Sequence, residues 1–140
     1  PMLRYRTRDI TRISTQPCGC GRSHVRILRV TGRNDDMLII RGVNVYPSQI
    51  EAVMVGRPGV APHYQLVLER DGALDRVSLE IEALPSVAAA DYDRLAGAAA
   101  HHLKSMVGIS AKVIVLAPGS VPRSQGKAVR VRDLRAKVQV

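Results

Sequence analysis

The sequence predicts a small α+β sandwich, with two helices packed on a mixed or antiparallel sheet and a short β segment in front of them. Two observations carry that expectation. From residue 37 onward, stretches with alternating apolar residues and stretches with apolar residues three and four apart succeed one another in the order strand, helix, strand, strand, helix, strand. The 140 residues suffice for one hydrophobic core and are few for a molecule that must hold several substrates at once.

Residues 1–34 read as basic and strand-like. Leu3, Tyr5 and Thr7 alternate there with Arg4, Arg6 and Arg8, so the face available to a core is thin. Gln16-Pro17-Cys18-Gly19-Cys20-Gly21 has the composition of a turn, and a short apolar stretch follows at residues 25–30. Residues 37–41 read as a compact strand running into Gly42-Val43-Asn44, where glycine and asparagine suit a sharp turn. Pro47 fits the first turn of a short helix with Ile50, Val53 and Met54 on one face, and Gly56-Arg57-Pro58-Gly59 stops it. Residues 64–68 and 77–83 are β-type runs joined as a hairpin through Asp71-Gly72; Val77, Leu79 and Ile81 point inward, Ser78, Glu80 and Glu82 outward. A longer helix over residues 88–107 carries Leu95, Ala99, Leu103 and Met106 on one face and ends at Gly108. Residues 111–116 form the last buried strand.

The formal net charge of +9 raises nucleic acid as a partner, since clustered Lys and Arg release counterions from phosphate backbones. The chain has no Phe or Trp and four Tyr, so the aromatic platforms used for base stacking are missing. Arginines scattered over solvated faces, or facing a larger acidic partner, account for the charge without nucleic acid. No apolar run is long enough to cross a bilayer, and the start at Pro1-Met2 carries no leader, which together suggest a cytoplasmic protein and an excised piece. Cys18 and Cys20 are too close in sequence for a structural disulfide, in keeping with a reducing compartment.

Three charged turns stand out: Tyr5-Arg6-Thr7-Arg8-Asp9, Gly32-Arg33-Asn34-Asp35-Asp36-Met37 and Arg123-Ser124-Gln125-Gly126-Lys127. Asp9 and Asp35 could accept hydrogen bonds from sugar hydroxyls, Arg33 could bind an anion, and Lys127, next to glycine, could reach a phosphate or carboxylate. From spacing alone the same residues read better as solvated turn charges, since short charged turns are common. Cys18 and Cys20 could share a metal, but zinc usually takes four ligands and His24 adds only a third candidate; two free thiols in a turn is the alternative. His101 and His102 read as structural.

In order along the chain, Tyr5-Arg6-Thr7-Arg8-Asp9, the continuous run from Gly32-Arg33-Asn34-Asp35-Asp36-Met37 through Arg41-Gly42-Val43-Asn44-Val45-Tyr46-Pro47 to Glu51, and Arg123-Ser124-Gln125-Gly126-Lys127-Ala128 resemble the closing motifs of adenylate-forming acyl-CoA synthetases. The run at Arg41 to Pro47 and Ala117-Pro118-Gly119-Ser120 are most similar to phenylacetate-CoA ligases within that superfamily. The resemblance implies that residues 1–34 are the tail of a large N-terminal AMP-binding domain and residues 35–140 a C-terminal lid, inactive without the missing domain. It implies ATP with Mg²⁺, an aryl carboxylic acid and coenzyme A as substrates, with no nucleic acid or membrane as partner. By the same resemblance Asp9 and Arg33 bind the nucleotide, Asp35 is the hinge, and Arg41, Gly42 and Val43 line the path of the coenzyme A thiol. Lys127 then assists adenylation as the catalytic residue, and Cys18 with Cys20 would be half of a zinc site. The rival class is a basic module that binds nucleic acid or protein without catalysis.

Overall fold

The computed structural model describes residues 6–123 and 130–135. It divides into a unit ending at Met37 and a unit beginning at Leu38.

The first unit consists of two short antiparallel ladders. β1 (Asp9–Ile10) pairs with β4 (Gly32–Arg33), and β2 (Ile13–Ser14) pairs with β3 (Arg26–Ile27). Side chains reinforce the main chain: Thr11 Oγ1 donates to the Leu28 carbonyl at 2.7 Å and Thr31 Oγ1 to the Ile10 carbonyl at 3.0 Å. None of its described side chains is buried, and the facing pair Ile13 and Ile27 is 69% and 73% exposed. Two-stranded ladders without a buried face are marginal on their own. A single 3₁₀ turn, Asn34–Asp36, closes the unit, flanked by extended Arg33 and Met37.

The second unit holds the core. Its centre is a four-stranded mixed sheet in the order β10-β7-β8-β9, built from β7 (Val60–Asp71), β8 (Leu74–Ala83), β9 (Lys112–Leu116) and β10 (Val131–Asp133). β7 and β8 are antiparallel, whereas β9 and β10 run parallel to their neighbours. Opposed residues share a face, and the register opposes Tyr64 to Ile81, Leu66 to Leu79 and Leu68 to Val77. Val113 and Val115 of β9 and Val131 of β10 join the same face through Leu79, Ile81 and Leu66. Two helices cover it, α1 (Pro47–Met54) with buried Ile50 and Met54, and α2 (Tyr92–Val107) with buried Ala99 and Leu103. The expected α+β architecture of two helices on a mixed sheet is therefore the one observed.

Local chemistry explains the helix ends. Pro47 takes the first helical position of α1, where its missing N–H costs nothing, and Gln49 Oε1 accepts the Tyr46 amide at 2.9 Å. α2 stops at Gly108, whose φ of 82° is a left-handed cap that disfavours a side chain.

Four details differ from the sequence-based expectation. Residues 37–41 and the turn after them are a separate hairpin: β5 (Leu38–Ile40) returns through Arg41-Gly42 into β6 (Val43–Val45), so the strand does not enter the main sheet. β10 was not anticipated, because a three-residue strand has too little sequence for a period to show. Met106 is 64% exposed, lying beyond the arc that faces the sheet. Glu82, expected outward, is 3% exposed.

Leu79→Ala should lower the stability of the isolated chain by about 3 kcal/mol, since it empties a fully buried site on the central strand. Leu74→Ala, at a 67% exposed position of the same strand, should change it by less than about 0.5 kcal/mol. Urea titration of both variants checks the contrast.

Candidate functional site

The chemistry-bearing residues fall into groups, each within one unit. In the first unit, the β1–β4 register places Asp9 directly opposite Arg33, so residues far apart in sequence become cross-strand partners. The chain enters this ladder through Arg8, whose φ of 65° is left-handed. The Arg8 carbonyl accepts the Asn34 amide at 2.9 Å, which ties the two motif segments together just beyond the ladder. An open cleft of about 450 Å³ is lined by Arg6, Thr7, Arg8, Asp9, Ile10 and Asn34. An exposed carboxylate among arginines on one open wall suits a ligand that carries both hydroxyl and phosphate groups. Asp35 lies in the middle of the 3₁₀ turn that ends the unit.

Cys18 and Cys20 share a turn closed by the Gly21 amide on the Cys18 carbonyl at 2.9 Å. Cys18 Sγ and Cys20 Sγ lie 3.0 Å apart, and a hydrogen bond from the Cys18 thiol to the Cys20 sulfur, followed by the Arg22 backbone, holds the Cys20 pKa below its ordinary value. Among the described residues no three of His, Cys, Asp and Glu converge, so the structure does not support a complete zinc site at the two thiols. His24, the third candidate ligand in the sequence, does not join them.

In the second unit, Arg41, Gly42 and Val43 are brought to one exposed hairpin turn. Arg41 and Gly42 have φ of 50° and 80°, the pair of left-handed residues that a two-residue antiparallel turn requires. A cavity of about 210 Å³ lies between this turn and the end of α2, lined by Ile40, Arg41, Val43, Gly108, Ile109 and Ser110.

Lys127 lies outside the described residues, but the chain on either side of it is anchored. Before it, the Glu82 carboxylate receives the Gly119 amide at 2.8 Å and the Val121 amide at 3.3 Å. Both Arg123 Nη atoms also donate to it at 2.8 Å. The Arg123 guanidinium, aided by the two amides, lowers the Glu82 pKa to about 2 against the opposing effect of burial. After it, the Arg130 guanidinium sits over the Tyr64 ring, 4.9 Å from its centre, and pairs with Glu51, while its carbonyl accepts the Leu66 amide at 2.8 Å. The sequence reading missed Glu82. The only sequence signal was the loss of alternation at Ala83-Leu84, and its partner Arg123 is distant in sequence.

A family model described as the AMP-binding enzyme C-terminal domain matches residues 42–135. The chain belongs to that family. It is homologous to phenylacetate-coenzyme A ligases: 46% identical to that of Thermus thermophilus over 96% of the chain and 34% of the relative. It is 47% identical to that of Escherichia coli over 96% of the chain and 31% of the relative. The chain thus spans about a third of the length of the curated relatives it matches. Among solved structures, a 2-hydroxyisobutyryl-CoA ligase in the postadenylation state with an acyl-AMP aligns with a TM-score of 0.82 at 36% identity, covering 95% of this chain and 29% of that one. A domain of a phenylacetate-coenzyme A ligase from Bacteroides vulgatus aligns at 0.67 with 30% identity, covering 74% of this chain and 96% of that one. No helix among the described residues is long and apolar enough to cross a membrane.

The Glu82 cluster generates a pH dependence. A carboxylate whose folded pKa is depressed contributes stability that is present above its unfolded pKa, near 4.5, and is lost as pH falls toward about 2. Glu82→Gln should therefore destabilise the chain at pH 7 by on the order of 2 kcal/mol and flatten its loss of stability below about pH 5. Urea titrations of both proteins across that range measure it.

Proposed function

We propose that this chain serves as the C-terminal lid of an ATP-dependent aryl acid-CoA ligase of the phenylacetate type, acting in the cytoplasm with a large AMP-binding domain. The observation that carries the reading is identity of 46% and 47% to phenylacetate-coenzyme A ligases over 96% of the chain. The near-absence of a core in residues 6–37 supports their assignment as the edge of that large domain, which would supply the apolar surface they lack.

The reaction would have two halves. A carboxylate attacks the α-phosphate of ATP, supplied with Mg²⁺, to give an acyl-adenylate and pyrophosphate; the thiol of coenzyme A then attacks the acyl carbon and AMP leaves. In the first half, Asp9 accepts hydrogen bonds from ribose hydroxyls and Arg33 offers positive charge to the nucleotide. Two anions must meet there, so the Lys127 ammonium lowers the barrier by neutralising the charge that builds between them. The anchors at Arg123 and Arg130, on either side of Lys127 in sequence, support this role. In the second half the lid presents another face, with Arg41, Gly42 and Val43 along the thiol path. A pivot suits Asp35, because its turn is a single one flanked by extended residues and ends where the two units divide.

The isolated chain should release no pyrophosphate in response to acid and should bind ATP too weakly for calorimetry to detect; tight ATP binding would contradict the lid reading. In the intact ligase, Lys127→Ala should slow acyl-adenylate formation by at least about 10²-fold while thioester formation from supplied acyl-adenylate changes far less. Single-turnover kinetics of each half-reaction separates the two, and equal slowing of both would return Lys127 to the ordinary surface charges.

A further inference from the structure

The Arg41-Gly42 turn is held by a residue outside every motif considered so far. Arg41 is a non-glycine residue at a φ of 50°, a conformation that persists only where the surroundings impose it. Those surroundings converge on Asp75 at the start of β8. The Arg41 Nε donates to the Asp75 main-chain carbonyl at 2.8 Å, and the Arg41 amide approaches Asp75 Oδ2 at 3.5 Å. Arg135 Nη1 donates both to Asp75 Oδ2 at 3.0 Å and to the Ile39 carbonyl at 2.8 Å, so one guanidinium joins β5 to β8. Its remaining nitrogens fork onto Asp133, at 2.9 Å and 2.7 Å, which fixes the plane of the group. Arg70 Nε completes the set at 3.2 Å from Asp75 Oδ1. The Asp75 and Arg135 side chains are 10% and 15% exposed, so water screens this pair little; Arg70, at 50%, contributes less.

We propose that Asp75 is a positioning residue for the Arg41–Gly42–Val43 turn and serves thioester formation alone, by keeping that turn where the coenzyme A thiol must pass. The proposal rests on the reading of the turn given above. Loss of the carboxylate charge weakens the Oδ2 acceptor of Arg135 Nη1, the nitrogen that also donates to the Ile39 carbonyl, and takes the nearby charge from the Arg41 amide, leaving Arg41 held by the Asp75 main-chain carbonyl alone. The cavity between the turn and Gly108-Ile109-Ser110 then changes shape. Small misplacements of a substrate-positioning element cost rate steeply, and here the loss falls on one half-reaction. Acyl-adenylate formation makes no use of the turn.

The experiment compares Asp75→Asn with Gly42→Val in the intact ligase, measuring pyrophosphate release and thioester formation from supplied acyl-adenylate separately, with thermal midpoints. Asp75→Asn should slow thioester formation about tenfold and raise the KM for coenzyme A, with pyrophosphate release within about twofold of the parent. Equal slowing of both halves would make Asp75 a merely structural residue and overturn the proposal. If Gly42→Val slows thioester formation and Asp75→Asn does not, the proposal fails while the reading of the turn stands. If Gly42→Val leaves thioester formation unchanged, the turn is not on the thiol path and both fall. Should Asp75→Asn not fold, Arg135→Lys keeps the charge, loses the fork and must show the same split.

Discussion

The register of β7 against β8 is the constraint on which the second unit depends. Opposing Leu66 to Leu79, with Tyr64 and Ile81 on one side and Leu68 and Val77 on the other, puts all six on a single face. A slip of one residue would turn that set to the other side. β9 and β10 then add in parallel at the edges with their valines on the same face, and the buried arcs of α1 and α2 close over it. Hydrophobic burial does most of this, being large, non-directional and satisfied by any well-filled arrangement of such residues. Direction comes from the ladder.

The same strand distributes the polar chemistry. Asp75 stands near the beginning of β8 and Glu82 near its end, separated by roughly 24 Å at the usual rise of a strand. Asp75 gathers Arg135 and the Arg41 turn, and Glu82 gathers Gly119, Val121 and Arg123. A rigid central strand thus anchors two irregular segments that the proposed chemistry uses at different stages. Each anchor is a carboxylate with guanidinium partners, and such groups are costly to bury unless their hydrogen bonds are met. Both Glu82 oxygens meet donors, whereas Asp75 Oδ1 has only the charge of Arg70 beside it, and these partners explain why two acids are tolerated so near an apolar core.

The two units differ in what holds them. The second has its own core; the first has ladders, threonine hydroxyl bonds and exposed isoleucines. The cleft lined by Arg6, Arg8 and Asp9 therefore rests on a thin support. That contrast fits a chain spanning a third of its relatives' length better than a freestanding module.

The sequence alone determined the order of the main elements, the hairpin at Asp71-Gly72, the cap at Gly108 and the family, because periodicity, turn residues and contiguous motifs are local properties. Asp9 and Arg33 were legible as motif residues, but their opposition across β1–β4 was not, since register between distant segments is settled by pairing. Glu82 was misread for a related reason: alternation shows which side chains turn from the core, and only the fold decides whether a distant loop covers them. β6 and β10 are too short to show a period, and the partners of Asp75, which are Arg41, Arg70 and Arg135, come from three other segments of the chain. Tertiary structure decided those, because a buried charge keeps its place only where its partners converge in space, and convergence leaves no trace in spacing.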